Sequence, residues 1–164
     1  MGAVMLRLEE ITHDNIDDIL GLCVFDEQKK FCADNAKSIA EAFIALSHGG
    51  HAFPFGAFDD GTPVGFVMIG CGTDDEWTDP PEIAKNNYNI WRLMTDKKHQ
   101  GKGYGKGILK LALDFIRTFP CGKAQYCWLS YSPQNTVAEN LYSSFGFTKT
   151  GSFDGSEQIA VLKL

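Results

Sequence analysis

The stretch QGKGYGK, residues 100–106, lies between a predicted strand and a predicted helix and carries three glycines and two lysines. Backbone N–H groups in the first turn of a helix have no intrahelical partner, and glycines let a ligand approach that backbone closely. The helix dipole makes this end positive, yet Lys102 and Lys106 stand where an unliganded helix favours acidic residues. The stretch therefore predicts an anion-binding turn, for which pyrophosphate is a suitable ligand.

Two commoner phosphate-binding motifs do not match this stretch. A P-loop needs Gly-Lys-Ser/Thr at its end, and Gly105 is not followed by that triplet. The dinucleotide fingerprint needs a third glycine where Lys106 or Ile108 stands, counting from Gly101 or Gly103. Taken alone, the glycines also fit an ordinary surface turn between two elements, and that alternative stays open at this point.

Upstream of the turn, hydrophobic periodicity predicts an antiparallel half with two helices. The predicted strands cover residues 4–8, 53–58, 64–71 and 89–95, and the helices cover residues 15–22 and 38–47. Thr12 is the predicted cap of the first helix. Residues 59–62, DDGT, predict a hairpin turn, and residues 73–82 form an acidic loop with two prolines.

Downstream of the turn, a helix between two strands predicts a crossover and therefore a parallel strand pair. The helix covers residues 103–119, with an apolar stripe made of Ile108, Leu111, Ala112, Phe115 and Phe119, and the next strand covers residues 124–131. A last helix begins near Ser132 and Pro133, buries Ala138, Leu141, Tyr142 and Phe145, and ends at Gly146. Asp154 and Gly155 then turn a closing hairpin whose final strand covers residues 159–164.

Composition indicates one globular domain over residues 1–164, since 44% of the residues are hydrophobic and 22% are charged. The net charge of −6 argues against nucleic acid as a partner and favours a cationic one. Five cysteines without a Cys-x-x-Cys pair suggest neither disulfides nor zinc, and no apolar run is long enough to span a membrane. We therefore expect a cytoplasmic protein.

Two ordered motifs resemble the GNAT superfamily of N-acetyltransferases. Gln100-x-x-Gly103-x-Gly105 is similar to its Gln/Arg-x-x-Gly-x-Gly/Ala signature, and NTVAENLYSSFGF, residues 135–147, is similar to its second hallmark. Residues 91–106 and 129–135, with TG at 150–151, most resemble bacterial spermine/spermidine acetyltransferases. The resemblance implies an α/β fold with a mixed, mostly antiparallel twisted sheet flanked by helices, and a parallel strand pair that splays at the cofactor site.

The resemblance also implies acetyl-CoA as co-substrate, without a metal, and a set of residues that bind it. The pyrophosphate would lie on the backbone amides of Gln100, Gly101, Lys102, Gly103, Tyr104, Gly105 and Lys106. The pantetheine arm would pair with the strand edge at Leu93 and Met94, and Asn135 would contact the cofactor near its reactive end. Homodimers are common in the resembled family.

Acetyl transfer to an amine needs a neutral amine, stabilisation of an oxyanion and a proton for the departing thiolate. Tyr142 is the candidate acid, because a phenol with a pKa of about 10 keeps its proton at neutral pH. Tyr142 also lies on the apolar stripe of its helix, so a core residue with a satisfied hydroxyl is the alternative. The sequence shows no general base.

The acceptor is predicted from charge and resemblance to be a small primary amine, with a polyamine preferred. Glu27 and Asp74 are the candidate carboxylates for binding it, although in a chain this acidic such a residue is more often a solvated loop charge. His48 and His51 have no third ligand nearby that would make a metal site. Other acceptors, namely an aminoglycoside, an amino acid or a protein lysine, remain alternatives, as does a noncatalytic acyl-CoA sensor.

Overall fold

The structure is a computed structural model that describes residues 5–164. Within those residues, one seven-stranded sheet runs through the molecule in the order β1-β2-β3-β4-β5-β7-β6. Its strands are β1 Leu6–Glu10, β2 His51–Asp59, β3 Thr62–Cys71, β4 Tyr88–Thr95, β5 Tyr126–Tyr131, β6 Thr148–Asp154 and β7 Glu157–Lys163. The predicted first strand began at Val4, which lies outside the described residues.

Helices cover both faces of this sheet. They are α1 Ile16–Gly21, α2 Asn35–Ser47, α3 Tyr104–Ile116 and α4 Thr136–Ser144, and short 3-10 turns occupy Asp26–Gln28 and Glu82–Ala84. The core on one face joins α3 and α4 to the sheet through residues such as Ile108 and Tyr142. The core on the other face joins α1 and α2 through Ile19 and Ala42. The predicted fold class is thereby confirmed.

The central feature of the sheet is the pairing of β4 with β5. Every other neighbouring pair of strands in residues 5–164 is antiparallel, whereas β4 and β5 are parallel, as the strand-helix-strand order predicted. The two strands are in register only at Tyr88 with Cys127 and at Asn89 with Trp128. Beyond those pairs the strands part, and residues 90–95 of β4 present a backbone edge with no strand beside it.

A bulge in β4 lies where the splay begins. Arg92 pairs with Met68 and Ile90 with Ile69, so that Trp91 is skipped in the ladder. Such an extra residue bends its strand and turns neighbouring side chains towards the same face. Consistent with this, Trp91 packs in the core under α1 and α2, and Arg92 reaches Glu41 of α2.

Three helix starts differ from the sequence prediction, and at two of them, those of α2 and α4, the side chain of the N-cap residue accepts a hydrogen bond from the first turn. Thr12 was wrong as the cap of α1: its backbone N–H donates to Asn15 Oδ1, and Asn15 is the N-cap residue. α2 begins at Asn35 rather than at 38, because Asp34 accepts a hydrogen bond from the Lys37 N–H at 2.7 Å. α4 begins at Thr136 rather than near Ser132, because Asn135 caps it.

Two further boundaries differ for reasons of backbone geometry. α3 ends at Ile116 instead of residue 119, because Pro120 disfavours helical backbone at Phe119, which adopts a φ of 54°. The closing hairpin turns at Gly155 and Ser156, so Asp154 ends β6 opposite Glu157. The predicted stripe of α3 also missed the buried residues Leu109, Leu113 and Ile116.

The reassigned caps predict a difference in stability between two variants. Asp34→Ala removes the cap of α2 and should lower the free energy of unfolding by about 1 kcal/mol. Thr12→Ala removes an exposed side chain that caps nothing and should change it by less than about 0.5 kcal/mol. Chemical denaturation followed by circular dichroism measures both, and a loss in Thr12→Ala as large as that in Asp34→Ala would contradict the assignment.

Candidate active site

A cavity of about 1090 Å³ occupies the splay between β4 and β5 and extends to both faces of the sheet. Its wall includes eight of the predicted site residues: Leu93, Met94, Gln100, Gly101, Gly103, Tyr104, Gly105 and Asn135. It also includes the predicted acid Tyr142 and the predicted acceptor residue Asp74. Within the described residues, Glu27, Lys102 and Lys106 do not line this cavity. The fold thus brings most of the predicted site together.

The glycine turn delivers the start of α3 to the cavity wall. Gly101 has a φ of 75° and Gly103 a φ of 86°, a left-handed conformation that side chains rarely adopt. Gly103 is the N-cap residue of α3, and no side chain among residues 5–164 caps this end. The first-turn N–H groups of α3 are therefore available to an anion, and the exposed Lys102 and Lys106 flank them.

Tyr104 contributes its backbone rather than its hydroxyl to this turn. The hydroxyl donates to Asp59 Oδ2 at 2.6 Å, at the end of β2. That hydrogen bond, with a smaller effect of burial, raises the pKa of Tyr104. The phenol is thereby held on the sheet side of α3, so the tyrosine fixes the helix start and leaves its N–H for a ligand.

The side chain of Gln100 is occupied inside the protein by a reciprocal pair with Gln28. Gln28 Nε2 donates to Gln100 Oε1 at 3.1 Å, and Gln100 Nε2 donates to Gln28 Oε1 at 2.8 Å and to the Thr95 carbonyl at 3.1 Å. Gln100 therefore shapes the turn and offers a ligand its backbone only. The segment after α1 is thus tied to the glycine turn, a link that sequence reasoning missed because 72 residues separate the pair.

The edge of β4 forms the floor of the cavity. Leu93 pairs with Val67 and Met94 with Phe66 of β3, which leaves the opposite side of β4 facing the splay. The Leu93 carbonyl is approached at 4.0 Å by the Cys32 thiol. A strand edge with unpaired N–H and C=O groups can pair with an extended amide-containing chain.

α4 places Asn135 and Tyr142 on the wall opposite β4. Asn135 Oδ1 accepts from the Ala138 N–H at 3.2 Å, so this side chain caps α4 in addition to its predicted role. The side-chain amide nitrogen of Asn135 forms no hydrogen bond with another described residue. Asn135 can therefore hold the helix start and still donate to a ligand.

Tyr142 is 8% exposed, and its hydroxyl forms no hydrogen bond with another described residue although the side chain lines the cavity. Its ring packs against Tyr131 and Phe147 at centroid distances of 5.6 and 5.9 Å. Burial chiefly, and the nearby Cys32 and Glu157 next, raise the pKa of this phenol. Tyr142 is thus both a packed residue and a protonated donor without an acceptor in residues 5–164.

Carboxylates and tryptophans form the wall on the α2 face of the sheet, which we call the acidic wall. It consists of Asp74, Glu76, Trp77, Trp128, Ser130, Asp154 and Glu157. Trp77 stacks on Trp128 with 6.3 Å between ring centroids, and Asp74 Oδ1 accepts from the Trp77 N–H at 3.0 Å. Of these carboxylates the sequence predicted only Asp74. Two more, Asp154 and Glu157, could have been inferred from the predicted hairpin, because residues on either side of a hairpin turn lie opposite each other.

Arg92 also lines the cavity, and its positive charge is paired with Glu41. Its Nη2 lies 2.8 Å from Glu41 Oε2, and its Nη1 donates to the Trp91 carbonyl. Its Nε is buried without a hydrogen-bond partner in the part of the chain that the structure describes.

His48 Nδ1 donates to the Ile44 carbonyl at 2.8 Å, and no group of three or more metal-ligating side chains occurs among residues 5–164. No helix in the same residues is long and apolar enough to cross a membrane.

Residues 16–147 match the acetyltransferase (GNAT) family. The chain belongs to this family, which confirms the resemblance seen in its motifs and the prediction of an acetyl-CoA-dependent N-acetyltransferase.

More particularly, the chain is 30% identical over 171 positions to the probable spermine N(1)-acetyltransferase of Bacillus subtilis subsp. natto, covering 97% of this chain and 99% of that one. The spermine/spermidine N(1)-acetyltransferase of Bacillus subtilis strain 168 matches over the same lengths at 30% identity.

Solved structures share the fold at lower identity. The PaiA N-acetyltransferase of Thermoplasma acidophilum in complex with coenzyme A superposes with a TM-score of 0.66 at 18% identity, over 97% of this chain and 99% of that one. An aminoglycoside acetyltransferase in complex with coenzyme A gives a TM-score of 0.70 at 17% identity, over 96% and 94% of the two chains. These likenesses establish the fold alone.

The glycine turn predicts a loss of cofactor binding that is separable from a loss of stability. A Cβ at Gly103 meets no heavy atom within 4 Å but sits at a φ of 86°, and a Cβ at Gly61 meets equally open space at a φ of 80°. Both alanine variants should therefore lose about 1–2 kcal/mol of stability. Only Gly103→Ala should also weaken coenzyme A binding, by about tenfold or more, because the added methyl group lies at the N-cap of α3, where the pyrophosphate would approach the backbone.

Isothermal titration with coenzyme A, together with thermal melting, separates the two effects. Gly61→Ala is the matched control, since it lies in the β2–β3 turn away from the cavity. Equal coenzyme A affinity in Gly103→Ala, Gly61→Ala and the unmodified protein would contradict the anion-binding assignment of the turn.

Proposed function

We propose that this protein transfers the acetyl group of acetyl-CoA directly to a primary amine of a polyamine such as spermine or spermidine. The observation that carries the proposal is the passage of one cavity through the β4–β5 splay. On one side of the sheet the cavity has the α3 N-terminus and Tyr142, and on the other it has the acidic wall. Two substrates can thus meet at the splay from opposite faces.

The cofactor side fits the parts of acetyl-CoA in order. The N–H groups at the start of α3 suit the pyrophosphate, and the free edge of β4 at Leu93 and Met94 suits the amide-bearing pantetheine arm. Asn135 and Tyr142 lie on α4, across the cavity from that edge, where the arm would end at the thioester. The proposal retains the predicted residues Gln100, Gly101, Lys102, Gly103, Tyr104, Gly105 and Lys106 as the pyrophosphate turn.

Tyr142 supplies the proton that the reaction needs at sulfur. The neutral amine nitrogen attacks the thioester carbonyl carbon, the carbon–sulfur bond breaks, and the departing thiolate takes the phenolic proton. The nitrogen releases one proton as the amide forms, and that proton returns through water to the phenolate of Tyr142. Burial keeps the phenol neutral, since a raised pKa favours the protonated form at every pH below that pKa. Because the hydroxyl has no hydrogen-bond partner within residues 5–164, it is free to donate to a substrate atom.

The acceptor side fits a polycation. The chain carries a net charge of −6, and the acidic wall contributes four carboxylates beside two stacked tryptophans. Carboxylates bind ammonium groups, and tryptophan faces attract cations and pack against methylene chains. The two Bacillus relatives are named for spermine or spermidine, which supports the same class of acceptor.

The two predicted carboxylates, Asp74 and Glu27, have different roles in the proposal. Asp74 is retained as an acceptor-binding residue because it lies on the acidic wall. Glu27 lies in the 3-10 turn after α1 and does not itself line the cavity, so it serves the proposal only through its charge. The proposal also places the reaction in the cytoplasm, where the five cysteines, all free, would stay reduced.

The direct test is release of free coenzyme A thiol from acetyl-CoA with a panel of spermine, spermidine, lysine, an aminoglycoside and a lysine peptide. We expect saturable release with the polyamines and a kcat/KM at least about tenfold lower with the others, since the polyamines carry several ammonium groups on one flexible methylene chain that can lie along the acidic wall and its tryptophans. Preferential turnover of another amine would reject the polyamine. Coenzyme A binding without any turnover would favour a sensor.

Tyr142→Phe should lower kcat by about a hundredfold and change the dissociation constant of coenzyme A by less than about twofold, because only the proton donor is removed. Tyr88→Phe is the matched control: its hydroxyl donates to the Gly122 carbonyl at 2.8 Å, outside the cavity. That variant should lose stability and keep kcat. Unchanged kcat in Tyr142→Phe would assign Tyr142 to packing alone.

A further inference from the structure

The two faces of β5 carry different chemistry. Leu129 and Tyr131 pack in the core with α3 and α4, and Tyr131 contacts the ring of Tyr142. Trp128 packs in a separate cluster on the opposite face, with Ile159 of β7. Because successive side chains of a strand alternate, Ser130 shares the face of Trp128. Ser130 and Tyr142 therefore lie on opposite sides of the sheet, and the cavity includes both.

Glu157 is attached to Ser130 on that second face. Glu157 is the first residue of β7, two positions before Ile159, and its Oε1 accepts a hydrogen bond from Ser130 Oγ at 3.2 Å. Its side chain is partly buried and lines the cavity. Ser130 thus fixes one carboxylate oxygen and leaves the other for a ligand at the splay.

Glu157 has no cationic partner among residues 5–164, which distinguishes it from other partly buried glutamates. Glu41 pairs with Arg92, and Glu139 pairs with Lys149. Among residues 5–164, the Ser130 hydroxyl is the one side-chain donor to this partly buried carboxylate, and no cation balances its charge. An ammonium group that enters the cavity would place a positive charge beside Glu157.

Tyr142 is the second group at the splay that lacks a partner, with its hydroxyl unbonded within the described chain and its side chain more than nine-tenths buried. The charge of Glu157 contributes to the raised pKa of Tyr142, after burial and Cys32, so the carboxylate acts on the phenol across the sheet. One group is a hydrogen-bond donor on the cofactor face, and the other is an anion on the acceptor face. We expect the thioester carbonyl and the attacking nitrogen to lie between these two groups.

We propose that Glu157 binds the ammonium end of the acceptor that becomes acetylated and holds its nitrogen at the splay, opposite Tyr142. The ammonium gives up one proton to water before its nitrogen, then neutral, attacks the thioester. This inference rests on the proposed acetylation of a polyamine. Glu157 accepts a charge-assisted hydrogen bond from the ammonium while Ser130 holds the carboxylate, and the remaining carboxylates of the acidic wall attract the distal ammonium groups. Glu157 is thereby the residue that selects a cationic acceptor for this site.

The test compares Glu157→Gln with Glu82→Gln. Glutamine keeps the shape and an oxygen that accepts from Ser130, so the fold should persist, and melting temperature checks this. Glu82 is exposed in the 3-10 turn Glu82–Ala84, outside the cavity, and its substitution changes the net charge equally.

Spermidine is titrated into each protein saturated with coenzyme A, so that binding is read without turnover. We expect about tenfold or greater weakening for Glu157→Gln and less than about twofold for Glu82→Gln, with coenzyme A affinity unchanged in both. In steady-state assays the KM for spermidine should rise more than kcat falls. Equal spermidine affinity in Glu157→Gln and the unmodified protein would overturn the inference.

The same experiment separates this inference from the proposed function. If the unmodified protein neither binds nor acetylates spermidine but acetylates another amine, the polyamine proposal fails by itself. The two variants are then compared on that amine: a loss confined to Glu157→Gln upholds the role of Glu157, and equal affinity overturns it.

Discussion

The parting of β4 from β5 after two residue pairs is the constraint on which the site depends. In a sheet, the backbone N–H and C=O groups of each strand form hydrogen bonds with the neighbouring strands, and buried backbone groups that stay unpaired cost free energy. Here residues 90–95 of β4 give up that pairing on one side. The resulting gap supplies a backbone edge for an extended ligand and an opening that connects the two faces. The bulge at Trp91 bends β4 where the opening begins.

The helices use that opening in complementary ways. α3 follows β4 directly, so its uncapped N-terminus lies at the mouth of the splay, and α4 follows β5 and brings Tyr142 to the same gap. The helix start is positive through its dipole and two lysines, whereas the far wall is negative through its carboxylates. Under the proposed function, an anionic cofactor and a cationic acceptor would approach from opposite faces although the chain as a whole is acidic.

The sequence predicted those features that are encoded locally. The glycines at 103 and 105, the lysines beside them and the stripe through Tyr142 identified the turn, the helix and the family, and the strand-helix-strand order gave the parallel pair. Local patterns could not supply contacts between distant residues. Gln28 with Gln100 and Ser130 with Glu157 are such contacts, and they determine the shape of the turn and the position of a carboxylate. Glu27 shows the same limit, because in a chain this acidic the sequence does not indicate which carboxylates line the cavity.

Nuclear magnetic resonance of the nitrogen-labelled protein, titrated with coenzyme A, tests the central claim most directly. The amide signals of Gly103, Tyr104, Gly105 and Lys106 should show the largest chemical-shift changes, because their N–H groups receive the pyrophosphate. The amides of the β4 edge at Leu93 and Met94 should follow. Coenzyme A binding that leaves the signals of the α3 N-terminus unmoved, with the changes concentrated elsewhere, would contradict the account.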